Sequence, residues 1–406
     1  KKRTRRTLAR TRCTHALLAR AARTRGTSRV YYTIRHRRRA MQRAYDVVLF
    51  GASGFTGRLV AEHLASACGR APKTPPAAPL RWALAGRDRA KLERIKLGLG
   101  LGEAEAEGVG VLVADAADGD ALDAICSKAA IVATCVGPYA QHGEALLAAC
   151  VRNASDYCDL TGEAPYIRRS IDAHHEAAKE RGVRLVHCCG FDSVPSDIGA
   201  ALVVRAAEEA GADGPLSVAL LNGSASGGVS GGTVASAFGL FENESLETLQ
   251  ACARPYYLAE GEPGGDCGTL SGVGRVDGAW VGPALMAGIN EPVVRRSASL
   301  LGWNLASYHE RQATGKGFGG LVKALALSLS FTMGIAALAI GPLRRAIRRR
   351  LPAQGEGPDE EARESGFFKQ TLIALDAGGK EVSRVRVRGN KDPGYGATAV
   401  MLGECA

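Results

Sequence analysis

The chain has 406 residues, and none of the first 43 is acidic, although 16 of the 52 Lys and Arg lie among them. The remaining residues carry 36 basic and 41 acidic side chains, a net charge of −5. The overall charge of +11 is therefore the property of a tail. A nucleic-acid footprint read from net charge fails for the body, and no specific nucleic-acid partner is expected. None of the 11 cysteines forms a CxxC pair or joins a histidine at zinc-ligand spacing. Neither a metal site nor a disulfide framework is expected, and the pattern fits buried thiols in a reducing compartment. The 51 glycines have no period of three, which excludes collagen. A hydrophobic content of 46% over this length excludes a disordered composition and suffices for two domains with cores.

What is present centres on residues 45–57, YDVVLFGASGFTG. Val47, Val48, Leu49 and Phe50 form an uncharged run typical of a buried parallel strand. A turn through Gly51, Gly54 and Gly57 follows, and a helix is predicted from about Phe55. Strand, glycine turn and helix make a nucleotide-binding start. Gly51 permits the tight turn, Gly54 lets backbone approach a pyrophosphate, and Gly57 lets helix and strand pack closely. Ser53, Gly54, Phe55 and Thr56 are the candidate phosphate neighbours at the helix N-terminus. The spacing is GxxGxxG rather than GxGxxG, so by itself it is a weak signal.

Residues 80–85 read as the second strand, ending in Gly86-Arg87, and Asp88 can cap the helix DRAKLERIK. A site selective for NAD usually places a carboxylate at this strand end. Here Arg87 stands there, with Arg89 and Lys91 close, which favours a 2′-phosphate and hence NADP. Solvent exposure alone is the plainer reading of Arg87. The third strand, 111–114, has Asp115 at its tip, beside adenine or capping a turn. The fourth strand, 130–136, ends in Gly137-Pro138-Tyr139, which should line the nicotinamide side. A short strand, 157–160, leads to Thr161-Gly162-Glu163, then to a helix from Pro165 to Arg181 ended by Gly182. Residues 183–188 read as another strand, with Cys188 and Cys189 on opposite faces. GFDSVPSD follows at 190–197. The alternation over 45–200 means a parallel sheet covered by helices on both sides.

The pattern changes after 210. A strand at 216–221 precedes a glycine- and serine-rich turn whose 230–233 segment, SGGT, can start a helix or hold an anionic or carbonyl group. Strands at 271–276 and 297–307 imply a second, mixed sheet. Residues 324–343 carry no charge, and RRAIRR follows immediately. The stretch can just span a bilayer, but its Ala, Ser and Gly content favours a helix pair that touches a membrane or a hydrophobic substrate. Residues 367–376 and 381–388 read as a hairpin.

The stretches YDVVLFGASGFTGRLVAEHL, RWALAGRDRAKL, VATCVGPYAQHGEALLAAC, YCDLTGE, HCCGFDSVPSD, SGGT and DPGYGATAVMLGE together cover 45–404. Through them the chain resembles the saccharopine dehydrogenase-like oxidoreductases. The nearest branch holds the trans-acting enoyl reductases and the animal saccharopine dehydrogenase-like protein found with lipid droplets. The resemblance implies an α/β protein, a Rossmann-type parallel sheet with a second mixed α/β domain, using NADP (NADPH). The expected division is a basic tail at 1–40, a dinucleotide domain at 41–200, a second domain at 201–390 and a return segment at 391–406. The tail reads as a transit peptide, as sequence upstream of Met41, or as a basic arm. The return segment is expected to be truncated.

For function, an NADP-dependent reductase of an enoyl or keto group on a hydrophobic, lipid-linked substrate leads. A cofactor-binding scaffold at a membrane or lipid droplet, and a saccharopine-type amino-acid dehydrogenase, are the alternatives. Tyr139 is the first choice of proton donor, with stacking on the nicotinamide as its other reading; Asp192 and Glu163 complete the catalytic candidates, Asp192 also reading as a hinge residue. A lipid-surface contact through 324–343 and a homodimer are expected. The location follows from the tail: mitochondrion if it is a transit peptide, otherwise lipid droplet, membrane or cytoplasm.

Overall fold

The computed structural model describes residues 43–68, 80–227, 238–259, 272–350 and 357–406. The basic stretch 1–40, the Pro/Ala loop 69–79 and the SGGT turn at 230–233 lie outside these residues, as does the start of the strand expected at 271.

Six parallel strands form the first sheet: β1 (Tyr45–Phe50), β2 (Trp82–Gly86), β3 (Gly110–Val113), β4 (Ala129–Thr134), β5 (Asp156–Asp159) and β6 (Leu185–Val186). Their order is β3-β2-β1-β4-β5-β6. This is the Rossmann order, with its topological switch point between β1 and β4. Val47 lies opposite Trp82 on one side and Ile131 on the other. Both faces of β1 are buried because helices cover both. Val48 and Phe50 pack with Leu122, Ile125, Leu146 and Ile167, while Val47 and Leu49 pack with Val60, Leu64 and Leu92. The helices are α1 (Phe55–Cys68), α2 (Arg89–Leu97), α3 (Glu103–Glu107), α4 (Gly119–Cys126), α5 (Tyr139–His142), α6 (Glu144–Arg152) and α7 (Ala164–Arg181). Asp88 caps α2 by accepting the Lys91 N–H at 3.0 Å. Gly182 ends α7 in the left-handed conformation at φ 63°.

The strand expected over 183–188 is only two residues long. Asp159 ends it early: its Oδ1 accepts the Cys188 N–H at 3.1 Å, its carbonyl accepts the Cys189 N–H at 2.7 Å, and Cys188 turns to φ 61°. Cys188 and Cys189 therefore lie beyond the strand, yet they still divide between the two apolar layers.

α8 (Val194–Glu209) runs unbroken through residue 200 and packs on the second sheet, so the passage from one sheet to the other falls in the turn at 190–193. That sheet contains β7 (Leu216–Ser226), β8 (Gly274–Val276), β9 (Ala279–Pro283), β10 (Leu305–Gly315), β11 (Phe367–Leu375) and β12 (Glu381–Gly389). Its order is β12-β11-β7-β10-β9-β8. β7 and β10 are parallel and the other pairs antiparallel. After the short α9 (Leu246–Cys252), the strand expected at 297–307 is corrected: α10 (Ala287–Leu301) takes residues 297–301, and β10 begins only at Leu305. Buried Val294, Arg295 and Ala298 recur at helical spacing, and Gly302 closes the helix at φ 71°.

α11 (Gly317–Ala339) follows β10, and α12 (Gly341–Arg348) follows α11. The chain then returns to the first sheet. After α13 (Glu360–Ser365), Pro393–Ala397 forms a single wide π-helical turn capped by Asp392, and α14 (Thr398–Cys405) packs on α1. Leu402 is fully buried there, a contact that stabilises by about 1.5–3 kcal/mol.

Candidate active site

The glycine turn joins β1 to α1 at the switch point. Gly51 has φ 84°, and its N–H donates to the Ala85 carbonyl at 2.9 Å. A side chain at Gly51 would press on Val136 at 2.6 Å, and one at Gly57 would overlap the Gly51 carbonyl oxygen. The fold itself therefore requires these two glycines. Gly54 differs. It is exposed, and an added Cβ would meet only the Gly51 oxygen at 3.4 Å. The backbone there is open to a ligand, next to the first N–H groups of α1, whose first turn holds no acid. Phe55 is held in place by Tyr395 from the return segment, with ring centroids 4.6 Å apart, and by the guanidinium groups of Arg58 and Arg363. The residues present thus fit a pyrophosphate at this turn.

Arg87 is exposed immediately beyond β2, and Ser53 lies close to Gly86. Beside them a cavity of about 410 Å³ is lined by Ser53, Arg58, Lys91 and Arg94, with Glu62 the one acid. Arg87 is not in that lining, and Arg58, which sequence reasoning missed, is. Asp115 is exposed past β3 and accepts the Ala117 N–H at 3.0 Å, closing its own turn.

On the other side of the switch point the Gly137–Pro138 peptide is cis. Tyr139 follows at the head of α5, buried. Its hydroxyl donates to the Thr134 carbonyl at 3.1 Å and accepts the Leu160 N–H at 3.2 Å. Burial and the Asp159 charge push its pKa well above that of an ordinary phenol. With its hydroxyl proton held by backbone, Tyr139 is a cross-brace between the ends of β4 and β5. Glu163 caps the same helix: its carboxylate accepts the N–H groups of Tyr139 at 3.0 Å and Ala140 at 2.8 Å. It thereby positions the Gly137–Tyr139 corner.

Asp159 organises the next strand ends. It accepts from the Tyr157 hydroxyl at 2.9 Å and pairs with His187 Nδ1 at 2.7 Å, while His187 Nε2 meets Ser170 Oγ at 2.9 Å. His187 is thus oriented inside the protein, as a packing residue.

Asp192 stands in the turn between the two sheets, opposite Gly162. Among the described residues its carboxylate has no hydrogen-bond partner, so it does not form the hinge bonds expected of it. Burial raises its pKa to about 6. The adjacent residue opens a buried network. Ser193 donates to Asn290 Oδ1 at 2.9 Å, and Asn290 Nδ2 donates to Ser196 Oγ at 3.2 Å and to Glu310 at 3.1 Å. Tyr308 donates to the other Glu310 oxygen at 2.9 Å, and Glu291 bridges the Glu310 N–H and Arg295. Burial pushes Glu310 up to about 7. Sequence reasoning missed this network because its members are about a hundred residues apart and no motif joins them.

An open anion-binding turn at the switch point of a Rossmann sheet, faced by a second mixed domain, defines an oxidoreductase that takes a nicotinamide dinucleotide. No family model matches the chain. A protein of Mycobacterium tuberculosis (strain H37Rv) whose name assigns it to the trans-acting enoyl reductases is 37% identical over 386 residues, 90% of this chain and 88% of the relative. The trans-acting enoyl reductase of Mycobacterium bovis (strain BCG) is 33% identical over 89% of this chain and 88% of its own length. That of Mycobacterium leprae is 34% identical over 80% of each. The chain belongs to the trans-acting enoyl reductase family. The structure of apo saccharopine dehydrogenase (L-Glu forming) from Saccharomyces cerevisiae aligns over 88% of each chain, with a TM-score of 0.43 and 14% identity.

Proposed function

We propose that this protein is an NADPH-dependent reductase of an enoyl or keto group on a hydrophobic, lipid-linked substrate. The observation that carries the reading is the glycine turn, open at Gly54 and placed at the switch point of the sheet. Gly51, Ser53, Gly54, Phe55, Thr56 and Gly57 hold the pyrophosphate. Asp115 borders the adenine, and Gly137 and Pro138 border the nicotinamide. Arg87 supports NADPH over NADH: it is exposed at the end of β2, where no carboxylate grips free ribose hydroxyls or repels a phosphate. Arg58, Lys91 and Arg94 add positive charge nearby.

When bound, the reduced nicotinamide supplies hydride. The protein must then deliver a proton to the carbon or oxygen that gains negative charge. Asp192 takes this role. Its carboxyl is desolvated and unpartnered, and a pKa near 6 keeps a protonated fraction available at neutral pH. Glu163 and Tyr139 hold the loop on which the nicotinamide rests.

A peripheral lipid contact belongs to the same reading. Among the described residues one helix, α11, is long and apolar enough to cross a membrane, yet Phe318, Leu325, Leu329 and Met333 are 54–79% exposed. α12 places Arg344, Arg345 and Arg348 immediately after it. An apolar surface followed by arginines suits an anionic lipid interface. The test of the enzyme is NADPH and NADH oxidation against a panel of enoyl and keto thioesters. Absence of binding to either dinucleotide would defeat the proposal.

A further inference from the structure

Arg363 belongs to the chain of the second sheet, yet it stands at the glycine turn of the first. It lies in α13, between α12 and β11, and its guanidinium carbon is 5.6 Å from the centroid of the Phe55 ring. Arg58, in the first turn of α1, is 5.8 Å from the same centroid. Phe55 begins α1 directly after Gly54, so two cations flank the ring that borders the open turn.

Packing on Phe55 holds Arg363 there. Tyr395 meets the Phe55 ring edge to face. Gly357 fits between the two rings, where an added Cβ would stand 2.6 Å from Phe55 and 2.9 Å from Tyr395. The Asp392 N–H donates to the Arg363 carbonyl at 2.8 Å, and the Asp392 carboxylate accepts the Tyr395 N–H at 2.8 Å. α13 and the turn at Pro393–Ala397 are thereby stitched into one strap across the start of α1.

The two guanidinium groups keep most of their donors. Among the described residues neither Arg58 nor Arg363 pairs with a carboxylate, and Glu364, beside Arg363, is taken by Lys391. Arg363 gives one N–H to the Pro358 carbonyl at 2.7 Å and retains the rest of its fork. Like charges against one ring repel each other, and an anion between them reverses the sign of that interaction. Residues 51–57 contain no Lys or Arg, so the turn itself offers only N–H groups and the helix dipole. The pyrophosphate of a dinucleotide carries a negative charge on each phosphate and calls for cations from outside the turn.

We propose that Arg363 is a cofactor ligand supplied by the strap, and that with Arg58 it clamps the pyrophosphate against the glycine turn. The proposal rests on the reductase reading and adds to its site a residue that no local motif marks. The pyrophosphate is common to NADPH and NADH, so Arg363 serves both, in contrast to Arg87. Arg363 also links the anion site to the proton donor assigned above. Its helix leads into β11, where Phe368 packs on Phe191 with centroids 4.7 Å apart, next to Asp192.

The test titrates the full chain with NADPH, NADH and adenosine 2′-phosphate, which has the 2′-phosphate and lacks the pyrophosphate. Arg363→Met keeps a long side chain and removes its charge. It should weaken NADPH and NADH alike by about tenfold, the low end for a charge-assisted contact because the guanidinium is half-exposed. Adenosine 2′-phosphate affinity and the melting temperature should hold, and Arg363→Lys should recover part of the loss. Unchanged dinucleotide affinity in Arg363→Met would overturn the clamp. A loss confined to NADPH would overturn it in favour of a 2′-phosphate contact, and an equal loss for all three ligands with a lower melting temperature would reduce Arg363 to a support of the fold. A measurement on the wild type needs no variant to fold: amide exchange across 359–366 should slow with NADP+ and not with adenosine 2′-phosphate, and identical exchange with and without NADP+ would overturn the clamp. Failure of the wild type to bind either dinucleotide would defeat the reductase reading itself, and the wild-type titration separates that case from the others.

Discussion

Replacing Asp192 with Asn should make the protein more stable and less active. Burial raises the Asp192 pKa from 3.8 in the reference state to about 6. The folded state therefore binds more protons than the unfolded state between these values, and stability falls as pH rises through that window. Each pKa unit corresponds to about 1.4 kcal/mol, so ionising the half-buried Asp192 costs at most about 3 kcal/mol at pH 8 and at most about 0.5 kcal/mol at pH 4. Asn has nearly the same shape and no charge to desolvate. Urea denaturation at both pH values should show Asp192→Asn gaining up to about 3 kcal/mol at pH 8 and little at pH 4. If Asp192 delivers the proton, kcat should fall by about 10²- to 10⁴-fold with dinucleotide affinity unchanged. Equal stability of the two proteins at pH 8 would refute the desolvation argument. A gain in stability with full activity would leave the burial correct and remove Asp192 from the chemistry.

Arg87→Ala should weaken NADPH binding by about ten- to a hundredfold and leave NADH binding nearly unchanged, because a charge-assisted contact is worth about 1.5–3 kcal/mol; equal losses for both cofactors would place Arg87 in the fold or at the shared phosphates. Gly54→Val should fold and lose dinucleotide affinity, whereas Gly57→Ala should lower the melting temperature, since its Cβ meets backbone within the turn; the reverse outcome would undo the roles given to the two glycines. Glu163→Gln leaves one N–H at the head of α5 facing an amide nitrogen, so it should reduce turnover without abolishing it, while Glu163→Ala should cost about 1–3 kcal/mol of stability; loss of all activity in a stable Glu163→Gln protein would return Glu163 to the reacting groups. Flotation with anionic vesicles should capture the wild type and lose a Leu325→Glu/Leu329→Glu variant, and unchanged capture would exclude α11 as the lipid-facing surface.

Much of the first domain was legible because its signals are local. An uncharged run buried on both faces, a glycine turn and a helix with apolar spacing are neighbours in sequence, so β1, the turn and α1 could be read directly. The same holds for the cap at Asp88, for Gly182 and for the hairpin of β11 and β12. The failures were places where partners outside the segment decide. Residues 297–301 read as strand, but burial of Val294 against the second sheet, and of Ala298 one turn further on, makes them helix. β6 stops after two residues because Asp159, 29 positions earlier than Cys188, takes the next backbone N–H.

The candidate site divides along the same line. By itself the sequence determined that a glycine turn joins the first strand to a helix, that Arg87 rather than a carboxylate follows the second strand, and which family the motifs resemble. Only the tertiary structure decided which of these residues remain available for chemistry. Tyr139 and Glu163 carry the right functional groups, but folding commits their polar atoms to backbone 5 to 24 positions away. Asp192 is an ordinary carboxyl in sequence and becomes a desolvated one between two sheets. Arg363 comes to stand against the Phe55 ring only because the chain between α12 and β11 crosses to the start of α1. Residue identity sets what a side chain can donate or accept, whereas burial and long-range pairing, which no local pattern records, set what it has left to give.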